Sequence, residues 1–314
     1  MDNKLLQTLK NNIQQVIVGN DTTINLLLAS LAANGHVLLE DVPGTGKTVL
    51  AKSLALSMDA EFGRIQFTPD LLPSDVVGLT RLDSKSGEFV FTKGPAFCNI
   101  LLADEINRAT PKTQSSLLEC MAEHQITVDG TTHPLADPFF VIATQNSLES
   151  LGTFPLPEAQ MDRFLMQLSM EPLDHEKELH LIDRFIKNEP LKTVTSVCKK
   201  EDISALQKDC REVYVHKELM DYIVNIIHAT RNTSQIACGV SPRGTLAFLR
   251  AAQGYAMVCG RDFVTPEDIK YVALPVLAHR LTMNVSFDAG SAAKQAISDI
   301  LSSVTVPTED WTKR

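Results

Sequence analysis

The sequence predicts an α/β protein in which an αβα core, built on a five-stranded and mainly parallel sheet, precedes a smaller all-helical domain. Three observations carry this. Between residues 36 and 170, five short apolar runs alternate with helix-like stretches, the pattern of strand–helix–strand crossovers. The runs are nearly continuous in apolar character instead of alternating, so helices are expected on both faces of the sheet. After Glu171-Pro172 apolar residues recur at helical spacing alone. A chain of 314 residues allows roughly two domains, here 1–172 and 173–314.

The expected strands are HVLLE at 36–40, GRIQFT at 63–68, NILLADE at 99–105, FFVIATQN at 139–146 and FLMQLSM at 164–170. Two further segments read as hairpins within the first domain. Leu79 to Thr92 ends in the alternating EFVFT, and HQITVDGTTHPL at 124–135 contains an Asp129-Gly130 turn. In the second domain the helical faces are Leu219, Tyr222, Ile223, Ile226 and Ile227, then Leu246, Leu249 and Ala252. Thr265-Pro266-Glu267-Asp268 supplies an N-cap, a proline at the first position and acids in the first turn.

Composition narrows the function. Apolar residues make up 44% and charged residues 21%, an ordinary globular balance. Twenty-nine Lys plus Arg against 38 Asp plus Glu leave a charge of -9, the wrong overall sign for a chain that coats nucleic acid. A local basic groove stays open. The most apolar stretch, Leu26 to Leu39, is interrupted by polar residues and falls short of the roughly 20 needed to cross a bilayer, and MDNKLLQTLK lacks a secretory apolar region. No membrane insertion and a cytoplasmic location are expected. The six cysteines form no C-x-x-C pair and read as reduced thiols, mostly core filler. HEKELH at 175–180 lacks the zincin spacing, because Leu179 stands where the second histidine is needed.

DVPGTGKT, Asp41 to Thr48, follows an apolar strand and precedes the helical run TVLAKSLALSM, the context of a phosphate-binding loop. Small residues turn backbone N–H groups inward, the helix offers the positive end of its dipole, Lys47 reaches the terminal phosphates, and Thr48 would ligate Mg2+. Asp41 replaces the usual first glycine, so Pro43, Gly44 and Gly46 must shape the turn. Ile100 to Glu105 is a buried strand ending in two carboxylates, and neighbouring strand residues point oppositely. Asp104 is therefore expected in the Mg2+ shell and Glu105 at the attacking water. Asn146, ending another strand, would face the same crevice and bond the γ-phosphate and the lytic water.

Two arginines complete the set. Ser241-Pro242-Arg243 places a cation in the first turn of a helix, where the dipole disfavours it by roughly 0.3–1 kcal/mol unless a phosphate lies nearby. Arg163, in PEAQMDRF, precedes the last strand at the rim of the sheet. It either pairs with Asp162 or Glu158, or in a ring reaches a neighbour's nucleotide.

Taken together, DVPGTGKT, LLADEINRA, ATQN, LPEAQMDRF and SPRG, in this order, resemble the MoxR family of AAA+ ATPases over residues 10–285. The resemblance implies Walker A and B roles for Lys47, Thr48, Asp104 and Glu105. It also implies that Asn146 is sensor 1, Arg163 the arginine finger and Arg243 sensor 2. Val16 to Gly19 corresponds to the segment beside adenine, so Val18 and Gly19 join Pro43, Gly44, Thr45, Gly46, Lys47, Thr48, Val49 and Asp104 as nucleotide contacts. The 79–92 hairpin becomes the helix-2 insert and 125–133 the hairpin before sensor 1. The family implies ATP and Mg2+, a hexameric ring, and chaperone-like remodelling of protein partners, often ones with a von Willebrand factor A domain. A nucleic-acid or magnesium-chelatase-like motor, and a nucleotide-gated scaffold with little turnover, are the alternatives.

Overall fold

The computed structural model describes residues 4–40, 44–85, 87–146, 152–186, 189–284 and 289–313, so the expectations on Asp41 and Pro43 lie outside the described residues. Two helices, α1 (Lys4–Gln14) and α2 (Asp21–Ala32), lead into β1 (Val37–Glu40) and α3 (Lys47–Ser57). Then come β2 (Phe62–Gln66), α4 (Pro73–Val77), the hairpin β3 (Gly78–Leu82) and β4 (Phe89–Lys93), and β5 (Ile100–Asp104). A single 3-10 turn, Ile106–Arg108, precedes α5 (Pro111–Glu123), the hairpin β6 (Gln125–Val128) and β7 (Thr131–Pro134), β8 (Phe140–Gln145), α6 (Glu158–Met161) and β9 (Met166–Leu168). The remainder is α7 (His175–Phe185), α8 (Lys200–Arg211), α9 (Lys217–Arg231), β10 (Ile236–Cys238), α10 (Pro242–Val258), α11 (Pro266–Leu277), β11 (Thr282–Met283) and α12 (Ala289–Ser303).

All five expected strands form one sheet in the order β2-β5-β8-β1-β9, and every pairing in it is parallel. The runs of β1, β5 and β8 are buried on both faces, whereas the edge strand β2 buries only Ile65. A parallel sheet puts all its carboxyl ends along one edge, so the residues after β1, β5 and β8 emerge side by side. Both hairpins are present as well. The turn of β6–β7 is Asp129-Gly130 with φ of 50° and 78°, the mirror-image geometry that matches strand twist. The two hairpins touch: Phe91 of β4 stacks on His133 of β7 at 4.2 Å between ring centroids.

Beyond β9 the chain is helical, with one addition. β10 and β11 form a short antiparallel ribbon, too brief to leave an alternating pattern in the sequence. The α9 face is buried as its spacing predicts. The α10 face departs from expectation at one position: Ala252 is buried and Leu249 packs half-buried against the core, but Leu246 does not. Leu246 is 65% exposed, and α10 buries Phe248, Ala251, Ala252, Ala256 and Met257 against α2 and α11. One apolar cluster runs without a break from α1 and α2 through β1 and β9 to α8–α11. Cys98, Cys120 and Cys210 are buried in the core and Cys198 packs half-buried against it, whereas Cys238 and Cys259 are exposed, so most of the cysteines fill the core. Burial pushes the Cys98, Cys120 and Cys210 thiols up to about 12. Among the described residues no helix is long and apolar enough to cross a membrane.

Candidate functional site

The loop after β1 delivers Gly44 and Gly46 with φ of 89° and 92°, a left-handed backbone that Gly adopts without strain. Gly46 caps α3, so Lys47, Thr48 and Val49 occupy its first turn, whose N–H groups have no carbonyl within the helix to bond and point out of its end. Among the described residues no atom lies within 4 Å of a Cβ built on either glycine, which leaves open space ahead of the helix, as an anion needs.

Beside this loop lies a cavity of about 440 Å³. One wall is Val16, Ile17, Val18 and Asn20, and the opposite wall is Leu181, Ile182 and Phe185 of α7, with Val49 and Met170 at the base. Asn20 fixes the first wall: its Oδ1 accepts the Glu171 N–H at 2.6 Å. Gly19 sits where a Cβ would be 3.1 Å from Lys177 Cδ and 3.2 Å from Leu173 Cδ2, so α7 closes tightly over the segment. None of α7 is fully buried, and Ile182 is 57% exposed, so its apolar side gains cover from a flat apolar ligand. Sequence spacing marks α7 as amphipathic but gives no sign that this face belongs to a ligand cavity.

At the same sheet edge, β5 ends in Asp104 and Glu105. Thr144 of β8 joins the two: its hydroxyl donates to Asp104 Oδ1 at 2.7 Å and accepts the Glu105 N–H at 2.8 Å. Asp104 Oδ2 accepts from Arg64 at 2.8 Å. Arg64 is 47% exposed, and a pair this open is worth about 0–1 kcal/mol, little obstacle to a divalent cation. Glu105 leaves the strand at φ 56°, an uncommon conformation for a side-chain-bearing residue that turns its carboxylate away from Asp104. Its Oε2 accepts from Gln66 at 2.7 Å and Arg108 at 3.0 Å. The two carboxylates have separate side-chain partners, and the cause is the left-handed turn that ends the strand at Asp104, not strand alternation. Asn146 follows β8, 6% exposed, next to Thr144 on that edge. Thr48 and Asp104 offer the hard oxygen donors that Mg2+ takes.

Arg163 and Arg243 stand elsewhere. Arg163 precedes β9 and so lies toward the amino edge of the sheet, opposite the loop. Together with Arg243, Asp162, Arg250, Arg280 and His36 it lines a second cavity of about 280 Å³. Neither alternative ion pair of Arg163 is formed. Asp162 pairs instead with Arg280 at 2.7 Å, and Arg163 donates to the Leu118 carbonyl of α5 at 3.0 Å. Arg243 occupies the first turn of α10 behind the Ser241 cap, exposed and with no partner among the described residues. Burial pushes His36 down to about 4; its Nδ1 accepts the Val141 N–H and its Nε2 meets the Met121 carbonyl, so the ring is neutral with the proton on Nε2. Arg64, Gln66 and Arg280 carry no local motif, and Arg108 and Thr144 lie within LLADEINRA and ATQN without any sign there of the bonds they make; only the fold reveals these partners.

Comparison with known proteins agrees with this geometry. Residues 36–166 match the model of the ATPase family associated with various cellular activities (AAA), and 228–300 match the AAA lid domain. The chain is 39% identical to Chaperone MoxR1 of Mycobacterium tuberculosis, over 94% of this chain and 80% of that protein. It is 48% identical to the uncharacterized protein YeaC of Bacillus subtilis, over 97% and 96% of the two chains. The crystal structure of a candidate ATPase from Cytophaga hutchinsonii superposes with a TM-score of 0.89 at 40% identity, covering 98% of this chain and 96% of that one. A sheet of this order, a glycine-shaped loop beside an apolar cavity and relatives matched over most of their length all point the same way: the chain belongs to the MoxR family of AAA+ ATPases.

Proposed function

We propose that this chain is an ATP- and Mg2+-dependent motor with a core to residue 172 and a lid from 173 to 314, which remodels or activates protein partners. The observation that carries the reading is the shared sheet edge, where the loop at 44–48, Asp104, Glu105 and Asn146 meet beside an apolar cavity. Adenine would lie between Val18, Gly19 and the α7 face, with Val49 below. Lys47 and the N–H groups from Gly44, Thr45 and Gly46 onward would hold the phosphates. Thr48 and Asp104 would hold Mg2+, which supplies neutralisation of phosphate charge. Glu105, steadied by Gln66 and Arg108, would polarise the attacking water, and Asn146 would orient it.

Arg163 and Arg243 face away from the chain's own loop, which supports a role on a neighbouring subunit's nucleotide in a homo-hexamer. For the client, the β3–β4 hairpin is the best candidate grip: Phe89 is 77% exposed and Leu82 58%. The Phe91–His133 stack would pass movement to the β6–β7 hairpin. Partners with a von Willebrand factor A domain follow from the family resemblance, and a cytoplasmic setting from the expectation drawn on the sequence. The charge of -9 weighs against a nucleic-acid motor. Glu105→Gln tests the chemistry: it is expected to bind ATP as tightly as the parent while losing most multiple-turnover phosphate release. Unchanged turnover would remove Glu105 from its role.

A further inference from the structure

The cavity shared by Arg163 and Arg243 is framed by a polar hub. Its centre is the carboxylate of Asp162, the residue before Arg163. Oδ1 accepts from Arg280 Nε at 2.7 Å, and Oδ2 accepts from the Ser241 hydroxyl at 2.9 Å. Ser241 in turn accepts the Gly244 N–H at 3.1 Å as the cap of the helix that carries Arg243. One carboxylate thus joins the backbone of the first arginine to the helix start of the second.

Arg280 secures the other side. Its side chain is 2% exposed, and it donates to the Phe164 carbonyl at 2.6 Å and the Leu165 carbonyl at 3.1 Å. It also reaches the Val276 carbonyl. A single guanidinium therefore holds the chain on both sides of Arg163. The packing around it is tight: a Cβ at Gly244 would lie 3.0 Å from Arg280 Cδ and 2.5 Å from Val240 Cγ1.

Buried ion pairs are weak contributors to stability, since apolar residues of like volume often serve as well, but they do fix geometry. The charge pattern agrees with that use. Asp162 is the one acid lining the cavity among the described residues, and Arg280 takes it, so Arg163 and Arg243 remain without a carboxylate. An anion facing them would come from outside the chain, because its own phosphate loop lies at the opposite edge of the sheet.

We propose that Asp162, Arg280 and Ser241 are positioning residues that hold Arg163 and Arg243 as one rigid pair of cations, aimed at a phosphate of the nucleotide bound by a second copy of this chain. The proposal rests on the ATPase reading above. A displacement near 1 Å can cost about 100-fold in rate, so loosening the hub is expected to lower kcat by ~10- to 100-fold and leave KM for ATP nearly unchanged.

The test uses the full chain with Ser241→Gly, which keeps most of the helix cap but removes the hydroxyl, Ser241→Thr, which restores it, and Asp162→Asn. The glycine and asparagine variants are expected to lose kcat with unaltered binding of a fluorescent ATP analogue, and the threonine variant to retain it. Mixing Asp162→Asn with Lys47→Ala subunits, which keep an intact hub, is expected to restore turnover at mixed interfaces. Hydrogen exchange provides an arm that does not need turnover: in Asp162→Asn, amides at 163–165 and 244–245 are both expected to lose protection. Loss of ATP-analogue binding in step with kcat, no recovery on mixing, or a change of exchange in one segment alone would overturn the hub. A parent protein without turnover would instead overturn the ATPase reading, and the exchange result would then decide the hub by itself.

Discussion

Thr144→Val removes one hydroxyl and nearly nothing else, since valine has the same shape and the site is fully buried. Two bonds go with it. The Glu105 N–H loses its acceptor, which costs about 1–3 kcal/mol for a group shielded from water. Asp104 Oδ1 loses a bond of the charged kind, about 1.5–3 kcal/mol, while Oδ2 keeps Arg64 and limits the loss. A total of about 2–4 kcal/mol is expected, enough to lower the thermal midpoint by several degrees. Activity suffers separately, because Asp104 loses its orientation. Each ~1.4 kcal/mol of that orientation is worth about tenfold in affinity for the ion it helps hold. The assay is thermal unfolding together with ATP hydrolysis titrated with Mg2+, with Thr144→Ser as the variant that keeps the hydroxyl. A valine variant that melts with the parent and shows the same Mg2+ half-saturation would refute the coupling of Asp104 and Glu105 through Thr144.

Acid sensitivity follows from His36. Its folded pKa of about 4 lies below the ordinary 6.5, so the unfolded chain takes up a proton first; stability is complete above pH 6.5 and falls as pH drops toward 4, by about 3 kcal/mol. His36→Leu is expected to flatten the slope of urea stability across that window, and a parallel slope would contradict the assignment. At the hairpin, Phe89→Ser with Leu82→Ser is expected to leave folding stability within about 0.5 kcal/mol, as exposed sites do, and ATPase turnover intact, while remodelling of a client protein disappears. Retained remodelling would sink the proposed grip.

The sheet was legible because a buried parallel strand must be apolar throughout, and β1, β5 and β8 are. Both hairpins were legible for a related reason: Asp129-Gly130 and the alternation of EFVFT are local signals. The short ribbon of β10 and β11 was not, because two or three residues carry no period. Leu246 was assigned to a buried face from spacing alone, but α10 lays Phe248, Ala251 and Ala252 on α2 and α11, which leaves Leu246 in solvent. At the site, Lys47, Asp104 and Glu105 announce themselves through motif and strand end. Gln66 and Arg280 do not, and Thr144, although it lies within ATQN, gives no sign there of joining Asp104 to Glu105, since each acts across the fold on a residue remote in sequence. Long-range polar partners of this kind are set by topology.

Equilibrium binding of ATP in the presence of Mg2+, measured by calorimetry on the parent chain and on Lys47→Ala, addresses the phosphate loop most directly. One nucleotide per chain for the parent, and a loss of at least ~100-fold in affinity for the variant, equivalent to about 2.7 kcal/mol, is the expected result. Equal affinities in the two proteins would contradict a nucleotide seated at the start of α3.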